Sequence, residues 1–381
     1  MVSKKKVMLV FGTRPEAIKM ASVYHAIKAC PEEFELTLCV TAQHRQMLDQ
    51  VLRVFDMMPD IDLNLMKEGQ DLFDVTANVL LAMREVLQEK RPDVLLVHGD
   101  TATTFASSLA AFYAGIKVGH VEAGLRTNNL QEPFPEEFNR QVTSKLASWH
   151  FAPTECSRKN LLKEGVDTSS VFVTGNTVID ALFWALKKTE VDLEMKSFIY
   201  QSLASIIPFS LEETRFVLIT GHRRENFGSG FLNICEALRD LAKEYPQVHF
   251  VYPVHLNPHV HDPVTRILSG FKNIHLIAPL DYVPFLVLLK HCFLVLTDSG
   301  GIQEEAPSLG KPVLVMRDIT ERPEAVEAGT VKLVGANKHK IIESVSILIN
   351  DERKYSEISN SHNPYGDGNA SVRILDLLRK Y

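Results

Sequence analysis

The stretch that decides the fold is VLLVHGDTATTFASSLAAFYAGIKVGHVEAGLRT, residues 94–127. It opens with the apolar run Val94–His98 and ends just after a second such run, Lys117–Val121. Between them, residues 103–114 carry small and apolar side chains at helical spacing. Neither apolar run alternates with polar residues, which is typical of strands covered on both faces. The stretch therefore predicts a strand, a helix and a strand of one parallel sheet.

The same alternation of short apolar runs and amphipathic stretches continues along the chain. In the first half the predicted strands are residues 7–11, 35–40, 94–98, 117–121, 150–152 and 171–173. In the second half they are residues 216–219, 248–254, 274–277, 293–297, 313–316 and 331–333. Two such series predict an α/β protein with two Rossmann-like, doubly wound parallel-sheet domains.

The length of 381 residues exceeds the usual size of one hydrophobic core, which also favours two domains. We place the N-terminal domain at residues 1–185 and the C-terminal domain at residues 186–365. The apolar side chains of residues 366–381 need a surface to cover. We therefore expect a C-terminal helix that closes across the domain interface.

Composition argues against several classes of partner. Charged residues make up 23% of the chain and the net charge is -6, without a basic stripe, so neither nucleic acid nor a membrane is expected as a partner. The first apolar run is too short for a secretion signal. The five cysteines are scattered and lack CxxC spacing, which predicts neither a disulfide framework nor a zinc site. A cytoplasmic location is expected.

An anion site is predicted directly after the first strand, in GTRPEAIKM, residues 12–20. Gly12 permits a tight turn and Pro15 suits the start of a helix. Arg14 and Lys19 then offer cations near the amides of the helix N-terminus, where a pyrophosphate could bind. The alternative is a capped helix with solvated charges.

Carboxylates follow two neighbouring strands of the predicted first sheet. Asp100 ends the motif VHGDT, and Glu122 lies in HVEAGLRT. The next loop, EPFPEEFNRQ, adds Glu136 and Glu137. A single acid in such a place is more often a helix cap or an ion-pair partner. Several acids beside one cleft favour acid–base work, because burial and mutual repulsion raise a carboxyl pKa towards neutrality.

The second half also places polar residues at strand ends. The motif TGHRREN brings His222 and Arg223 to a turn at Gly221. The motif TDSGGIQEEAP opens a helix, whose positive end and bare amides suit an anion. A glutamate just inside that helix suits the two hydroxyls of a ribose. Arg322, after the next strand, could complete an anion clamp or fold over a sugar.

Several familiar fingerprints are absent from the sequence. It has no GxGxxG after a strand, no GxxxxGK[ST] and no GxSxG. Nicotinamide or flavin binding, P-loop hydrolysis and acyl transfer by a serine are therefore disfavoured. The triplet His255, His259 and His261 has no cysteine or acid tied to it, so a metal site is disfavoured as well.

Nine motifs in order resemble those of the UDP-N-acetylglucosamine 2-epimerases. They are GTRPEAIKM, TAQHRQML, VHGDT, HVEAGLRT, PFPEEFNRQ, VTGNTVIDAL, TGHRREN, DSGGIQEEAP and TERPEAVEAGT. They extend over nearly the whole chain, and TERPEAVEAGT favours the bacterial, non-hydrolysing branch. The resemblance implies a GT-B-like fold of two Rossmann-like domains with the active site in the interdomain cleft. It also implies that the enzyme uses no metal and no redox cofactor.

The activity implied by the resemblance is reversible epimerisation of UDP-N-acetylglucosamine to UDP-N-acetylmannosamine. It would proceed by elimination of UDP to a glycal and readdition, so UDP-N-acetylglucosamine and UDP are the expected ligands. The matching catalytic positions are Asp100, Glu122, Glu136 and His222. The matching substrate and UDP-binding positions are Arg14, Lys19, Phe285, Ser299, Gly300, Gly301, Glu305 and Arg322. Leu280 departs from the glutamine of some relatives, which leaves only its backbone to pair with uracil.

The resemblance also implies regulation and assembly. Some bacterial relatives bind a second substrate molecule as an activator, at positions that match Gln43, Gln46, Glu136, Arg223 and His255. A homodimer and a role in cell-surface polysaccharide biosynthesis are expected on the same ground. Three alternatives stay open: a hydrolysing epimerase that releases N-acetylmannosamine and UDP, a glycosyltransferase of the same fold, and a non-catalytic sensor of nucleotide sugars.

Overall fold

The computed structural model of the protein describes residues 4–42, 45–67 and 69–381. The chain divides into two compact units, Met1–Ala185 with Tyr365–Tyr381, and Leu186–Pro364. We call them the N-terminal and C-terminal domains. Within the described ranges, no helix is both long and apolar enough to cross a membrane.

The N-terminal domain alternates strands with helices. Its elements are β1 (Lys5–Phe11), α1 (Arg14–Lys28), β2 (Phe34–Val40), α2 (Arg45–Val54), β3 (Ile61–Asp62), α3 (Leu72–Lys90), β4 (Val94–His98), α4 (Ala102–Tyr113), β5 (Lys117–Val121), α5 (Glu136–Leu146), β6 (Trp149–Ala152), α6 (Glu155–Lys163), β7 (Val171–Val173) and α7 (Thr177–Val191). The division between the two domains falls inside α7.

The strands described in this domain form a parallel sheet in the order β3-β2-β1-β4-β5-β6-β7. The order reverses between β1 and β4, so the loops that follow these two strands diverge and leave a crevice. Ligands of open parallel sheets bind at such a point. The predicted doubly wound sheet is confirmed, and the two-residue β3 is a strand that the apolar pattern does not reveal.

One core layer of this domain lies between the sheet and the helices α3 and α4. Met8, Leu95 and Val97 point from the sheet into this layer and are fully buried, as is Met83 of α3. Gly119 of β5 allows close packing, because a Cβ there would lie 2.5 Å from Leu96 Cδ2. Each large apolar side chain buried in this way contributes about 1.5–3 kcal/mol.

The last helix of the chain, α16 (Ala370–Lys380), belongs to the N-terminal domain and packs against α1. The buried carboxylate of Asp180 holds its first turn. It accepts hydrogen bonds from the Ala370 amide at 3.2 Å, the Ser371 amide at 2.8 Å and the Ser371 hydroxyl at 2.6 Å. A carboxylate at a helix N-terminus satisfies amides that have no partner within the helix.

The C-terminal domain repeats the alternation. Its elements are α8 (Leu193–Ile206), β8 (Phe216–Thr220), α9 (Ser229–Glu244), β9 (His249–Pro253), α10 (Pro258–Leu268), β10 (Ile274–Ile277), α11 (Tyr282–His291), β11 (Leu294–Thr297), α12 (Gly300–Ser308), β12 (Val313–Val315), α13 (Pro323–Glu327), β13 (Val331–Leu333), α14 (Lys338–Asn350) and α15 (Glu352–Ser359).

The strands described in this second domain are again parallel, in the order β10-β9-β8-β11-β12-β13. The order reverses between β8 and β11, and the loops after these strands carry the motifs TGHRREN and DSGG. Phe231 and Leu238 of α9 pack with Phe250 of β9 in a buried core. Both domains therefore present their polar strand ends at the same topological position.

Candidate active site

We call the place where the strand order of a sheet reverses its switch point. In the N-terminal domain, the carboxylate of Glu16 holds the loops at this place together. Its Oε2 accepts hydrogen bonds from the amides of Gly12 at 3.1 Å and Thr13 at 2.8 Å. Its Oε1 accepts from the hydroxyls of Thr101 at 2.6 Å and Thr104 at 3.2 Å. Burial raises the pKa of Glu16, although the hydrogen bonds from Thr101, Thr13 and Gly12 act in the other direction. The carboxylate thereby ties the loop after β1 to the start of α4.

This contact decides what the amides at the start of α1 bind. The amides of Gly12 and Thr13 donate to a carboxylate of the chain itself. They therefore match a capped helix, the alternative to an anion site at this position. Lys19, one turn further along α1, pairs with Glu122. Arg14 is half-buried as a residue, and its guanidinium forms no hydrogen bond or ion pair with the residues that the structure describes. The roles of Arg14 and Lys19 as anchors stay predictions.

Glu122 follows β5 directly and lies at the centre of a group of polar side chains. Its Oε1 accepts from Lys19 Nζ and, at 3.0 Å, from Asn176 Nδ2. Its Oε2 lies 3.6 Å from Nε2 of His98. Burial lowers the pKa of His98 to about 4, so this imidazole is neutral at neutral pH. Lysine and not histidine therefore compensates the charge of Glu122.

The backbone of Glu122 adopts φ 62°, in the left-handed region. A residue with a Cβ occupies this region at a cost of about 1–2 kcal/mol. Such strain is typical of positions whose side chain must point in one direction for function. Here it directs the carboxylate towards Lys19 of α1 and Asn176, which precedes α7.

Asp100 lies two residues after β4, next to a turn at Gly99 with φ 69°. Its Oδ2 lies 3.3 Å from Arg140 Nη1, and its side chain is 29% exposed. Partial burial raises the pKa of Asp100 to about 6, with Arg140 opposing the shift and Glu122 adding to it. The carboxyl therefore exists in both protonation states near neutral pH, which suits a group that accepts and returns a proton.

The two adjacent acids at the start of α5 differ in their surroundings. Glu137 is fully buried and accepts from the amides of Thr127 and Asn128, both at 3.1 Å. It also lies 3.2 Å from Nε of Arg140, the residue that faces Asp100. Glu136 is half-buried, and its charge contributes to the raised pKa of Asp100. Glu137 is thus a structural acid, while Glu136 remains available near Asp100.

The switch point of the C-terminal domain is held by Asp298, which follows β11. This carboxylate is fully buried. Its Oδ2 accepts from the amides of His222 and Arg223, both at 2.9 Å, and from Asn226 Nδ2 at 3.4 Å. Asp298 therefore joins the loop after β8 to the end of β11, as Glu16 joins two loops in the first domain.

His222 lies above Asp298 with its side chain 43% exposed. Its ring stacks on that of His255, with centroids 5.5 Å apart and planes 16° apart. Burial lowers the pKa of His222, the charge of Asp298 opposes this, and Arg223 and His255 lower the pKa further. The free imidazole is therefore neutral at neutral pH.

The first turn of α12 lies against the guanidinium of Arg322. A Cβ on Gly300 would approach Arg322 Nη1 to 2.7 Å, so only glycine lets the cation lie there. Glu304 accepts from Arg322 Nε at 2.7 Å, and Glu321 accepts from Nη1 at 3.1 Å. The amides of a helix N-terminus and a neighbouring guanidinium are groups that can donate hydrogen bonds to a phosphate.

Glu305 lies on the same helix and faces α11. Its Oε1 accepts from the hydroxyl of Tyr282 at 3.1 Å. Phe285, one turn along α11 from Tyr282, and Leu280, just before that helix, are half-buried. The carboxylate, the aromatic ring and the positive helix start thus occur on two elements of one domain.

The chain was compared with known families, sequences and structures. Residues 25–379 match the family model of UDP-N-acetylglucosamine 2-epimerase. The chain is 57% identical over 374 residues to the UDP-N-acetylglucosamine 2-epimerase of Escherichia coli K12, with 98% of each sequence covered. The chain belongs to the UDP-N-acetylglucosamine 2-epimerase family.

Solved structures of this family agree. The UDP-GlcNAc 2-epimerase from Neisseria meningitidis, bound to UDP-GlcNAc, is 53% identical with a TM-score of 0.89, covering 99% of this chain and 100% of that one. The enzyme from Methanocaldococcus jannaschii, in complex with UDP-GlcNAc and UDP, is 34% identical with a TM-score of 0.79 and the same coverage. The predicted family and GT-B-like fold are confirmed.

Within each domain, the structure groups the epimerase positions named from the sequence. In the N-terminal domain, Lys19, Glu122 and Glu136 all lie close enough to Asp100 to affect its pKa. In the C-terminal domain, one group surrounds Asp298 and another surrounds the start of α12. The first contains His222, Arg223 and His255, and the second contains Ser299, Gly300, Gly301, Glu305 and Arg322.

Two of the predicted activator positions cannot be placed. Gln43 lies outside the described residues, and Gln46 belongs to α2, but its side chain is not described. Arg223 is half-buried, and His255 is exposed with Nδ1 accepting from the Asn257 amide at 3.1 Å.

Three residues that hold the site were not singled out from the sequence. Glu16 forms part of a T-x-x-E capping pattern with Thr13, which could have revealed it. Asp298 lies in the motif TDSGG, where the glycines are the more obvious signal for an anion site. Asn176 has no local signal, because its contact with Glu122 joins positions 54 residues apart in the chain.

Substitution of the two neighbouring acids of α5 should affect stability to very different extents. Glu137→Ala removes a buried acceptor and leaves Arg140 without its adjacent acid, so we expect a loss of about 3–5 kcal/mol in the free energy of unfolding. Glu136→Ala should change it by less than about 0.5 kcal/mol. Urea unfolding followed by circular dichroism measures both. Equal losses in the two variants would contradict the structural assignment of Glu137.

Proposed function

We propose that the chain interconverts UDP-N-acetylglucosamine and UDP-N-acetylmannosamine without releasing a free sugar. The observation that carries this proposal is the pair of carboxyl groups at the tips of β4 and β5. Asp100 has a pKa of about 6, whereas Glu122 is paired with Lys19. Two acids in different environments suit the removal of a proton from one face of a carbon and its return to the other.

The chemistry requires the bond to the diphosphate to break as the proton leaves. A hydrogen at C2 beside an acetamido group is a poor acid, so a carboxylate alone would remove it far too slowly. If the C1–O bond breaks and its electron pair goes to UDP, C1 becomes electron-deficient and the C2 hydrogen becomes acidic. A carboxylate then takes the proton, and the C–H electron pair forms the C1–C2 double bond of a glycal. Readdition of UDP at C1, with protonation of C2 from the opposite face, gives the epimer.

Proton transfer is assigned to the N-terminal domain. Asp100, Glu122 and Glu136 form the acid–base set, and the face of C2 that each serves is left open. The partial exposure of Asp100 gives a substrate access to its carboxyl, and Arg140 keeps that carboxyl in place. General acid–base catalysis by such groups contributes about 10²–10⁴-fold in rate.

Binding of UDP is assigned mainly to the C-terminal domain. The amides at the start of α12 and the guanidinium of Arg322 suit the diphosphate, and His222 would act on its departing oxygen. Glu305 suits the ribose hydroxyls and Phe285 the uracil ring. Arg14 and Lys19 of the N-terminal domain are proposed as further anchors. Stabilising the departing diphosphate supplies the largest expected share of the rate.

Incubation with UDP-N-acetylglucosamine in deuterated water tests the reaction. Nuclear magnetic resonance of the products should show UDP-N-acetylmannosamine carrying deuterium at C2, because the returning proton comes from a carboxyl that exchanges with solvent. Free N-acetylmannosamine with UDP would indicate the hydrolysing reaction instead. Failure of C2 to exchange would contradict both kinds of epimerase and favour the transferase or the sensor.

The contact between Gly300 and Arg322 predicts a specific loss of UDP affinity. Gly300→Ala places a methyl group where the guanidinium lies, so the arginine has to shift away from the start of α12. Its charge-assisted hydrogen bond to a phosphate would be lost, so Kd for UDP should rise about tenfold. Calorimetric titration measures this.

Arg322→Ala and the double variant complete this test. Since Gly300→Ala is expected to act through Arg322, the double variant should bind UDP no more weakly than Arg322→Ala alone. Additive losses would show that the methyl group acts on the nucleotide directly.

We also propose an activating second molecule of UDP-N-acetylglucosamine and a homodimer, both on the family resemblance. Gln43, Gln46, Glu136, Arg223 and His255 are the positions proposed for the activator. A reaction that starts from UDP-N-acetylmannosamine with no lag, and that added UDP-N-acetylglucosamine does not stimulate, would contradict the activator. Sedimentation as a monomer would contradict the dimer.

A further inference from the structure

The two carboxylate oxygens of Asp298 differ in their hydrogen bonding. Oδ2 accepts from two backbone amides and one side-chain amide. Oδ1 is buried and accepts no hydrogen bond from any residue within the described ranges. An unpaired, buried carboxylate oxygen is costly, and such atoms are uncommon in folded proteins. Because this oxygen lies beside a loop that we propose binds the ligand, we expect it to gain a hydrogen-bond donor when the ligand binds.

The group that Oδ1 faces is the imidazole of His222. The distance from Oδ1 to Nδ1 is 3.6 Å, just beyond hydrogen-bond range. The ring is 43% exposed, so a small rotation about its side-chain torsions is possible and would close this gap. On the other side, the stacked ring of His255 limits the rotation, and the amide of Asn257 holds His255 in turn.

The charges around His222 work in opposite directions. Burial disfavours a positive imidazole, Asp298 favours it, and Arg223 and His255 disfavour it further. Tyr252 also lies near the carboxylate, and its hydroxyl donates to the carbonyl of Gly221 at 3.2 Å. The free site thus keeps His222 neutral, but a diphosphate would add negative charge on the exposed side of the ring.

We propose that Asp298 is a positioning residue that makes His222 a cationic hydrogen-bond donor to the departing diphosphate. This inference rests on the proposed function. When UDP or its sugar binds, His222 takes up a proton and rotates so that Nδ1–H donates to Asp298 Oδ1. Nε2–H then donates to a phosphate oxygen. The buried carboxylate fixes the orientation of the ring and stabilises the imidazolium, in the way that a buried aspartate supports a catalytic histidine in other enzymes.

Proton uptake on UDP binding tests this assignment. Calorimetric titrations of the full-length protein at pH 7.5, in buffers of different ionisation enthalpy, give the number of protons taken up. Asp298→Asn keeps an oxygen for the amides of His222 and Arg223 but removes the charge. His222→Asn is the matched control, because its remaining proton uptake belongs to UDP and to other groups.

We expect the wild type to take up more protons than His222→Asn, and Asp298→Asn to match His222→Asn. We also expect Asp298→Asn to weaken UDP binding about tenfold, and the double variant to bind no more weakly than His222→Asn. Wild-type proton uptake in Asp298→Asn, or additive losses in the double variant, would overturn the inference and leave Asp298 with a structural role. Absence of UDP binding by the wild type would instead contradict the proposed function.

Discussion

A buried carboxylate at the switch point of each sheet is the constraint on which the proposed chemistry depends. At the reversal of strand order, two loops diverge and leave backbone amides without strand or helix partners. Glu16 accepts from the amides of Gly12 and Thr13 in one domain, and Asp298 accepts from those of His222 and Arg223 in the other. Each carboxylate satisfies the amides and fixes the loop that carries a chemical group.

The two carboxylates position their neighbours in different ways. Glu16 accepts from the hydroxyl of Thr101, the residue that follows Asp100 and caps α4. This fixes the turn from which Asp100 projects, next to Arg140. Asp298 binds the backbone of His222 directly and presents a second oxygen to its ring. The same arrangement thus supports the proposed acid–base group in one domain and the group proposed to act on the diphosphate in the other.

The protonation of the site follows from local surroundings and not from the kind of residue. Asp100 is partly exposed but enclosed enough to raise its pKa to about 6, while Glu122 is buried against the cation of Lys19. Glu137, adjacent to Glu136, accepts hydrogen bonds from loop amides and pairs with Arg140. Of several acids close together in sequence, only some are therefore available to a substrate.

Much of the fold could be predicted, because apolar runs without polar alternation, such as Val94–His98, indicate burial on both faces of a strand. The family could be recognised from its ordered motifs. The two-residue β3 could not be predicted, because two residues are too few to show the side-chain pattern of a strand. Nor could the separate roles of Glu136 and Glu137 be predicted. Adjacent positions on a helix face in different directions, and two glutamates in a row do not show which of them faces the core. The importance of Asn176 and Asp298 arises from contacts between residues far apart in the chain, which no local pattern records.

The most direct measurement is the rate of C2 deuterium exchange in Asp100→Asn, taken together with its affinity for UDP. The substitution keeps the shape of the side chain but removes the group that titrates near neutral pH. Our account predicts that exchange falls by about 10³-fold while Kd for UDP stays within about twofold of the wild-type value. Exchange at the wild-type rate, or a loss that merely follows weaker UDP binding, would contradict it.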